Sequence, residues 1–368
     1  MIVLLNGSYA PSLIRFRGPF IQAMIARGHS VHCTAPDVPP AVAGQLSQWG
    51  ATVHELPLSR TGLGLGGQAA YFLALRRLMQ RVRPDLVIGY TIKPNVFGSL
   101  AARSLGIRSV SMVTGLGFAF YDSGTFVQKQ AMRLSRLLYR LATDANEQVI
   151  FQNGDDVADM VAAGCLADPG KARMVNGSGV DLAHYSSAPL PDAPVFLMIA
   201  RLLVAKGVRE YAAAALSLKR RYPNWRFLLV GFLDQGPDGV SAAELARCQE
   251  GGIEFLGELD DIRPAMRQAS AYVLPSYREG TPRSVLEAMA MGRPVITTNA
   301  PGCRETVVQD HNGLLVPVRD AKALEAAMER LGSDGGLRSR YGAASLALAR
   351  EKFAVDSVNA ALMEHMGL

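Results

Sequence analysis

Residues 273–298, VLPSYREGTPRSVLEAMAMGRPVITT, hold the pattern that decides the fold. An apolar run of strand length ends at Pro275, a loop follows, and a helical pattern then runs to Met291. Gly292 suits the left-handed stop of a helix, and PVITT is a second apolar run of strand length. A strand, a helix and a strand in this order predict a parallel βαβ unit.

The same alternation of strands and helices runs through the whole chain. The predicted strands are IVLL, SVHCT, DLVIG and RSVSMV in the first half, and VFLMI, WRFLLVG, GIEFLG, AYVLP, PVITT and GLLVP in the second. The fold class is therefore α/β, with two doubly wound, Rossmann-like domains. Parallel sheets bind ligands beyond the carboxyl ends of their strands, so we expect the two domains to face a central cleft.

The domain boundaries follow from length and local composition. A chain of 368 residues is too long for one typical core. Three prolines interrupt both periodicities in AHYSSAPLPDAP, which predicts a linker at 183–194. We expect a first domain at 1–182, a second at 195–345, and a helical segment at 346–368 that could return to the first domain.

Composition narrows the class of protein. Hydrophobic residues make up 49% and charged residues 19% of the chain, which is typical of well-packed domains. The four cysteines are scattered, so neither a disulfide framework nor a zinc site is expected, and no Asp-x-Asp suggests a bound divalent ion. No basic segment precedes the first apolar run, and no window resembles a spanning helix. We expect a cytoplasmic protein.

The net charge of +6 comes from the first half of the chain. Arginines recur there on two helical patterns, FLALRRLMQRVRP and FVQKQAMRLSRLLYRLA, with leucines between them. Such helices can lie on an anionic membrane surface, or they can be the solvated faces of core-packed helices. Nucleic acid is not an expected partner, because aromatic residues make up only 7% and no reader motif is present.

The start of the helix after Pro275 has the chemistry of an anion site. Thr281 is expected as the N-cap and Pro282 as the first residue of a helix that ends at Met291. The N–H groups of the first turn would then be open to an anion, at the positive end of the helix dipole. Glu287 would lie about 7 Å further along, so one ligand could place a diphosphate on the helix start and a ribose diol on this carboxylate. The alternative is a solvated helix with ordinary surface acids.

Loops after other strands add cations and exclude some enzymes. Arg201 and Lys206 follow VFLMI and could neutralise a diphosphate without a metal, or they could be a solvated pair. The Gly7 loop follows the first strand but lacks GxGxxG, which argues against a nicotinamide enzyme. TGLGLGG at 61–67 does not join a first strand to a helix and is interpreted as a loop near the cleft. No P-loop motif is present.

Further motifs stand in order along the second half: NGSGVD (176–181), ARLLVAKG (200–207), LLVG (228–231), FLGELDDI (255–262), residues 273–298 with two glutamates in a Glu-x7-Glu spacing, and GLLVP (313–317). The first half contains GPFIQAMIARGHSV, YTIKPNVFGSLAA and TGLGFAF. By these motifs the second half resembles the retaining glycosyltransferases of family 4, which have the GT-B fold. The first half is similar more loosely, and most resembles a bacterial branch that extends polyprenyl-diphosphate-linked sugars.

The resemblance implies a role for each matching residue. Arg201 and Lys206 would hold the donor diphosphate and Glu287 the ribose hydroxyls. The donor site as a whole would comprise Gly7, Arg201, Lys206, Leu259 near the uracil, Glu279 and the backbone of Gly280, Thr281 and Pro282 facing the sugar, the N–H groups of Arg283 and Ser284 on phosphate, and Glu287. Many relatives have a histidine against the sugar where this chain has Thr114-Gly115-Leu116-Gly117, which leaves the sugar's identity open.

The resemblance also implies a reaction. A UDP-sugar, with an N-acetylhexosamine such as GalNAc expected, would be transferred with retained configuration to a polyprenyl-diphosphate-linked saccharide at the inner face of the cytoplasmic membrane. Arg201, Lys206 and Glu279 would be the catalytic groups, with no metal or other cofactor. Acceptor contacts would come from first-domain loops, with Arg15, Arg17, Lys93 and Thr114 as candidates. GDP or ADP could replace UDP, and a nucleotide-sugar epimerase, a hydrolase or an inactive binding module remain alternatives.

Overall fold

The computed structural model describes residues 1–58, 65–116 and 126–368, and these residues form two compact units. The first unit comprises Met1–Ser178 together with Val358–Leu368, and the second comprises Gly179–Ser357. Part of TGLGLGG (61–64) and the end of TGLGFAF (117–120) lie outside the described residues. Within the described ranges, no helix combines the length and the apolar character that crossing a bilayer requires.

The first unit is built on a parallel sheet that, among its described residues, has seven strands in the order β3-β2-β1-β4-β5-β6-β7. Every residue of the central strand β4 is buried, as expected for a sheet with helices on both faces. The strands are β1 (Ile2–Asn6), β2 (Ser30–Ala35), β3 (Thr52–Glu55), β4 (Leu86–Tyr90), β5 (Arg108–Val113), β6 (Gln148–Phe151) and β7 (Ala172–Met174). The helices are α1 (Ala10–Arg15), α2 (Gly18–Ala26), α3 (Pro40–Gln48), α4 (Leu65–Val82), α5 (Ile92–Arg103), α6 (Phe126–Ala145) and α7 (Gly154–Ala162).

The second unit, which is described throughout, has a six-stranded parallel sheet in the order β10-β9-β8-β11-β12-β13. One large apolar core lies on both faces of this sheet. The strands are β8 (Val195–Ile199), β9 (Arg226–Val230), β10 (Ile253–Phe255), β11 (Ala271–Leu274), β12 (Val295–Thr298) and β13 (Gly313–Val316). The helices are α8 (Val208–Arg221), α9 (Ala242–Glu250), α10 (Arg263–Gln268), α11 (Arg283–Ala290), α12 (Ala321–Ser333) and α13 (Gly335–Lys352).

The order of strands reverses between β8 and β11 in the second unit and between β1 and β4 in the first. In a doubly wound sheet, the loops that leave such a pair of strands turn to opposite faces and leave a crevice between them. The loop after β8 carries Arg201 and Lys206, and the loop after β11 carries Glu279. The topology therefore brings together two of the loops that contain the predicted site residues.

The domain division differs from the predicted boundaries, because the predicted linker at 183–194 packs as part of the second unit. The guanidinium of Arg293, which is fully buried, donates to the carbonyls of Pro189 and Ala188 at 3.0 Å. Arg338 likewise donates to the carbonyl of Asp192 at 2.8 Å. Buried arginines therefore hold the backbone of the segment 183–194, whose prolines had predicted a linker.

The end of the chain belongs to the first unit only from Val358 onward. The last helix, α14 (Val355–Met366), contributes Val358, Leu362 and Met366 to the core on β1 and β2. Helix α13, which the sequence analysis had placed partly in the returning segment at 346–368, lies in the second unit throughout.

Candidate active site

Helix α11 begins one residue later than the sequence predicted. Pro282 is the N-cap and not the first helical residue, because its backbone is extended (φ −73°, ψ 109°), and Thr281 precedes the cap. The helix ends at Ala290 with Met291 as the C-cap, and Gly292 follows with φ +78°. The left-handed glycine stop is confirmed, and the predicted capping by Thr281 is wrong.

The start of α11 faces the carboxyl ends of two strands. Its first internal hydrogen bond runs from the N–H of Val285 to the carbonyl of Pro282, so the N–H groups of Arg283 and Ser284 precede the helical ladder. The hydroxyl of Tyr272 on β11 lies 2.7 Å from Ser284 Oγ and 3.1 Å from the carbonyl oxygen of Ile199 at the end of β8. These contacts fix the helix start at the switch point of the sheet.

Lys206 lies near the start of α11, where the loop after β8 crosses the loop after β11. A short 3-10 helix, Val204–Lys206, ends at Gly207, whose φ is +74° and where an added Cβ would lie 2.1 Å from the carbonyl oxygen of Pro275. Only glycine permits so close an approach in this conformation. The N–H of Tyr277 then donates to the carbonyl of Ala205 at 2.9 Å, which ties the loop after β11 to the loop after β8.

This crossing places Lys206 Nζ 2.5 Å from Glu279 Oε1. Both side chains are mostly buried, with 24% and 14% of their surface exposed. The N–H of Glu279 donates to the carbonyl of Pro301 at 2.9 Å, and Gly302 packs so closely that a Cβ would lie 2.1 Å from the Glu279 carbonyl oxygen. Three loops therefore hold this ion pair, and the structure joins two residues that the sequence analysis had paired only by resemblance.

Glu287 is the second acid of the signature and is far more buried than a surface acid would be, with 6% of the residue exposed. Its Oε1 accepts a hydrogen bond from Arg283 Nε at 2.8 Å, one turn earlier on α11. Burial raises the pKa of Glu287, and Arg283 and Tyr185 oppose that effect. The alternative interpretation as an ordinary surface acid does not apply to Glu287.

Arg201 takes a different partner from Lys206. Its Nη1 lies 3.3 Å from Asp234 Oδ2, and about half of the arginine side chain is exposed (53%). The N–H of Leu202 donates to the carbonyl of Phe232, which holds the Arg201 loop against the loop after β9. Arg201 therefore adjoins the β9 loop while Lys206 adjoins the β11 loop.

Leu259 lies on the loop after β10 and is partly buried against the core. The N–H of Gly231 donates to the carbonyl of Gly257 at 2.9 Å, so this loop adjoins the loop after β9. The expected contact of Leu259 with the uracil stays a prediction.

In the first unit, Gly7 follows β1 and is buried, and its N–H donates to the carbonyl of Thr34 at 2.9 Å. A Cβ at Gly7 would lie 2.3 Å from the hydroxyl oxygen of Tyr90 at the end of β4. The end of β4 therefore leaves no room for a side chain at this position. Thr114 follows β5 directly and is partly buried.

The predicted loop position is wrong for two of the three candidate acceptor cations, Arg15 and Lys93, and is confirmed for Arg17, which lies in the turn between α1 and α2. Arg15 is the last residue of α1, and Lys93 lies in the first turn of α5, where desolvation lowers its pKa. Arg17 is the N-cap of α2 and is 3% exposed, with its guanidinium carbon 5.2 Å from the centre of the Tyr90 ring. Of the three, Arg15 is the one that is exposed.

Sequence reasoning missed Asp234, which pairs with Arg201, and Tyr185, which affects the pKa of Glu287. Tyr185 comes four residues after the Asp181 that closes the NGSGVD motif, but it fell in the predicted linker. Asp234 lies in a glycine-rich turn, where its Oδ1 accepts from the N–H of Gly236 at 2.8 Å. In the ranges that the structure describes, no three His, Cys, Asp or Glu side chains form a group able to hold a metal ion.

Two parallel doubly wound units, with cations and a helix start at the switch point of the second sheet, define the class of the GT-B proteins. Two family models match the chain in sequence order. The model described as Glycosyl transferase 4-like domain matches residues 18–177, and the model described as Glycosyl transferases group 1 matches residues 193–334. The chain therefore belongs to the glycosyltransferases, and the resemblance to family 4 is confirmed.

Among curated proteins, the chain is similar to N,N'-diacetylbacillosaminyl-diphospho-undecaprenol alpha-1,3-N-acetylgalactosaminyltransferase of Campylobacter jejuni. The two sequences are 29% identical over 342 residues, and the alignment covers 89% of this chain and 88% of the relative. The chain is also 25% identical over 276 residues to UDP-Gal:alpha-D-GlcNAc-diphosphoundecaprenol alpha-1,3-galactosyltransferase of Escherichia coli, with 71% and 70% covered.

Among solved structures, sucrose-phosphate synthase from Thermosynechococcus elongatus matches with a TM-score of 0.83 at 19% identity, over 100% of this chain and 98% of that one. HepE of Anabaena, in complex with UDP, matches with a TM-score of 0.80 at 19% identity over 100% of both chains. At this level of identity the likeness establishes the fold, and the predicted GT-B class is confirmed.

Proposed function

We propose that the chain is a retaining, metal-independent glycosyltransferase that moves an N-acetylhexosamine, such as GalNAc, from a UDP-sugar to a saccharide carried on polyprenyl diphosphate. Such a reaction would build bacterial surface glycans or protein-linked glycans at the inner face of the cytoplasmic membrane. The names of the Campylobacter and Escherichia relatives support the acceptor class, and the name of the latter supports a UDP-linked donor.

The observation that carries the proposal is the Lys206–Glu279 pair beside the start of α11. A diphosphate at this point would meet the ammonium of Lys206 and the first N–H groups of the helix. Glu287 lies about one turn beyond Arg283 on the same helix, about 6 Å along the axis, which suits a ribose that extends from the diphosphate. Lys206 and Glu279 are held by three loops, so their charges need little rearrangement when a donor binds.

The reaction follows from where charge develops. The bond between the anomeric carbon and the bridging oxygen of the diphosphate breaks, and negative charge collects on the departing β-phosphate. Lys206, Arg201 and the N–H groups of Arg283 and Ser284 stabilise that charge. The acceptor hydroxyl forms the new bond on the face that the phosphate leaves and gives its proton to a phosphate oxygen. Configuration is therefore retained.

Glu279 has two tasks in this scheme. Its carboxylate keeps Lys206 at the crossing of the loops before a donor arrives, and it faces the donor sugar together with the backbone of Gly280 to Pro282. Arg201 is half exposed and paired with Asp234 at 3.3 Å, so it can exchange this partner for a phosphate at small cost. In this scheme Lys206 is a cation with a fixed position, and Arg201 is a cation that can change its partner.

On the acceptor side, Arg15, Lys93 and Thr114 are the proposed contacts for a lipid diphosphate in the first unit. Arg15 is exposed at the end of α1. Arg17 is packed over Tyr90, so its proposed part is to support the loop after β1, where Gly7 lies. The proposed membrane contact is α6, on which three leucines face outward next to exposed arginines: Leu134 (46% exposed), Leu137 (53%) and Leu141 (39%), with Arg133 and Arg140.

The membrane contact can be tested separately from catalysis. We expect the protein to sediment with vesicles that contain anionic lipid and to remain in solution with neutral vesicles or at high salt. Replacing Leu134 and Leu137 with serine should abolish sedimentation. Retained binding by this variant would exclude α6 as the contact.

The function itself is tested with labelled UDP-GalNAc or UDP-GlcNAc and a polyprenyl-diphosphate-linked sugar. The expected product is an extended lipid in which the new bond keeps the donor's anomeric configuration, formed equally well in the presence of EDTA. Release of free sugar or an epimerised donor, with no lipid product, would favour hydrolysis or epimerisation. Neither turnover nor binding with any nucleotide sugar would contradict the proposal.

A further inference from the structure

Tyr277 holds the chain on both sides of Lys206. Its N–H donates to the carbonyl of Ala205, the residue before Lys206, at 2.9 Å. Its hydroxyl donates to Glu210 Oε1 at 2.7 Å, and Glu210 lies in the first turn of α8, shortly after Lys206. Tyr277 itself comes just before Glu279 in the loop after β11. One tyrosine therefore links the two chain segments that carry the ion pair, and no step of the donor scheme uses its side chain.

The carboxylate of Glu210 needs this hydrogen bond. Its second oxygen, Oε2, is buried and has no hydrogen-bond partner among the residues that the structure describes. The bond from Tyr277 to the first oxygen therefore offsets part of the cost of burying this acid. Burial, together with the hydrogen bond to Glu210 and its charge, raises the pKa of Tyr277 to about 12. The hydroxyl therefore stays protonated at neutral pH and acts as the donor.

The ring of Tyr277 is contacted from a third loop. Arg319, between β13 and α12, places its guanidinium carbon 4.9 Å from the centre of the ring. The φ of Arg319 is +60°, in the left-handed region that few residues other than glycine adopt. A cation over an aromatic face is attracted to it, so this contact constrains the ring while Glu210 constrains the hydroxyl.

We propose that Tyr277 is a positioning residue for Lys206, and that its hydrogen bond to Glu210 sets where the lysine ammonium lies relative to the leaving phosphate. The inference rests on the proposed function, because it takes a donor diphosphate as the ligand of Lys206. Gly207 joins the short helix that ends at Lys206 to α8, on which Glu210 lies. Fixing Glu210 therefore fixes the start of α8, and with it the turn from which Lys206 projects.

The position of Lys206 should affect the chemical step more than donor binding. A displacement of about 1 Å in a catalytic group can lower a rate by about 100-fold. Lys206 is proposed to act on charge that develops as the phosphate leaves, so a misplaced ammonium should lower kcat and change the donor KM little.

The test is Tyr277→Phe, with Tyr222→Phe as the matched control. Tyr222 donates to Glu329 at 2.6 Å in the same unit, so both variants lose a tyrosine to glutamate bond, but only one of these bonds lies beside Lys206. In steady-state kinetics with a UDP-sugar and a polyprenyl-diphosphate-linked acceptor, Tyr277→Phe should lose about 10-fold or more in kcat, with the donor KM within about 3-fold. Tyr222→Phe should keep the kcat of the parent. A Tyr277→Phe enzyme with the parent's kcat, whatever its KM, would overturn the inference.

Two substitutions of Glu210 test the hydrogen bond itself. Glu210→Gln keeps an oxygen that can accept from the Tyr277 hydroxyl, and Glu210→Ala removes it. We expect Glu210→Gln to retain most of the parent's kcat and Glu210→Ala to match Tyr277→Phe. In the double variant of Tyr277→Phe and Glu210→Ala the two losses should not add, because both remove the same bond. Equal losses in Glu210→Gln and Glu210→Ala would refute the hydrogen bond as the cause.

A measurement without any nucleotide separates this inference from the proposed function. Each protein is treated with limiting acetic anhydride, and acetylation of Lys206 is measured by mass spectrometry relative to Lys322, which is exposed on α12. Lys206 is 24% exposed in its ion pair, so it should react slowly in the parent and in Tyr222→Phe, and at least about 3-fold faster in Tyr277→Phe. Equal rates in the three proteins would refute the positioning role. If the parent shows no turnover with any nucleotide sugar, the donor assignment fails, while the acetylation result still decides whether Tyr277 positions Lys206.

Discussion

The charges of the candidate donor site in the second unit are held differently from the proposed acceptor cations in the first unit. In the second unit Lys206 contacts Glu279 at 2.5 Å and Arg283 contacts Glu287 at 2.8 Å, with both acids mostly buried. In the first unit Arg15 is exposed at a helix end, and Arg17 is buried with its guanidinium over the ring of Tyr90.

This difference predicts how each site would bind a diphosphate. Burying paired charges costs free energy when the protein folds, but the charges are then already oriented to stabilise the charge that develops in the reaction. Exposed cations attract an anion with little geometric precision. We therefore expect strict chemistry at the donor site and tolerant recognition at the acceptor side.

The largest effect is expected from Lys206→Ala. Removing the ammonium leaves the leaving phosphate without its fixed counter-charge, so kcat should fall by at least about 100-fold. Steady-state kinetics with a UDP-sugar and lipid acceptor measures the change. Lys322→Ala, at an exposed lysine on α12, is the control and should leave kcat unchanged. A Lys206→Ala enzyme with near-normal turnover would remove the basis for a prearranged donor site.

Substitutions of Glu279 and of Glu287 should have different effects on kcat and KM. Glu279→Gln weakens the hold on Lys206 beside the reacting bond, so it should lower kcat by about 10-fold or more. Glu287 is proposed to bind the ribose, away from that bond, so Glu287→Gln should raise the donor KM with a small change in kcat. Equal effects of both substitutions on kcat and KM would mean that the acids do not have distinct roles.

Two arginines that are neighbours in sequence should behave differently. Arg15→Ala should raise the acceptor KM by only a few-fold, as expected for an exposed cation, and leave the unfolding midpoint unchanged. Arg17→Ala should instead lower the free energy of unfolding by about 1–3 kcal/mol, because it removes a buried side chain packed on Tyr90. Urea denaturation with both variants checks this, and the reverse ranking would contradict the structure of the loop after β1.

The smallest effect is a pH dependence of stability at Glu287. Burial raises its pKa in the folded protein above the usual 4.5, so the folded state binds a proton more tightly than the unfolded state there. The ionised form therefore costs stability as the pH rises through and above 4.5. Glu287→Gln should gain thermal stability relative to the parent at pH 7 and show little difference near pH 4. A constant difference across that range would show that burial does not govern this carboxyl group.

The fold and part of the donor site follow from local sequence. Apolar strands of the right length, Gly292 and the order of the motifs predict two parallel sheets, and the loop after β8 predicts where Lys206 emerges. The burial of Tyr185 and of Arg17 was not predictable in this way, because it depends on packing between segments that are distant in sequence. The prolines near Tyr185 indicated a linker, whereas buried Arg293 and Arg338 hold the backbone of this segment.

The most direct measurement is a crystal structure of the protein with the nucleoside diphosphate that stabilises it most in a thermal-shift comparison of UDP, GDP and ADP. A ligand at one hundred times its dissociation constant should add about 2.7 kcal/mol, enough to rank the three. We predict electron density for the two phosphates at the start of α11 against Lys206, and for the ribose hydroxyls on the carboxylate of Glu287. Phosphates bound elsewhere, with the Lys206–Glu279 pair undisturbed and Glu287 turned toward no ligand, would contradict this account of the donor site.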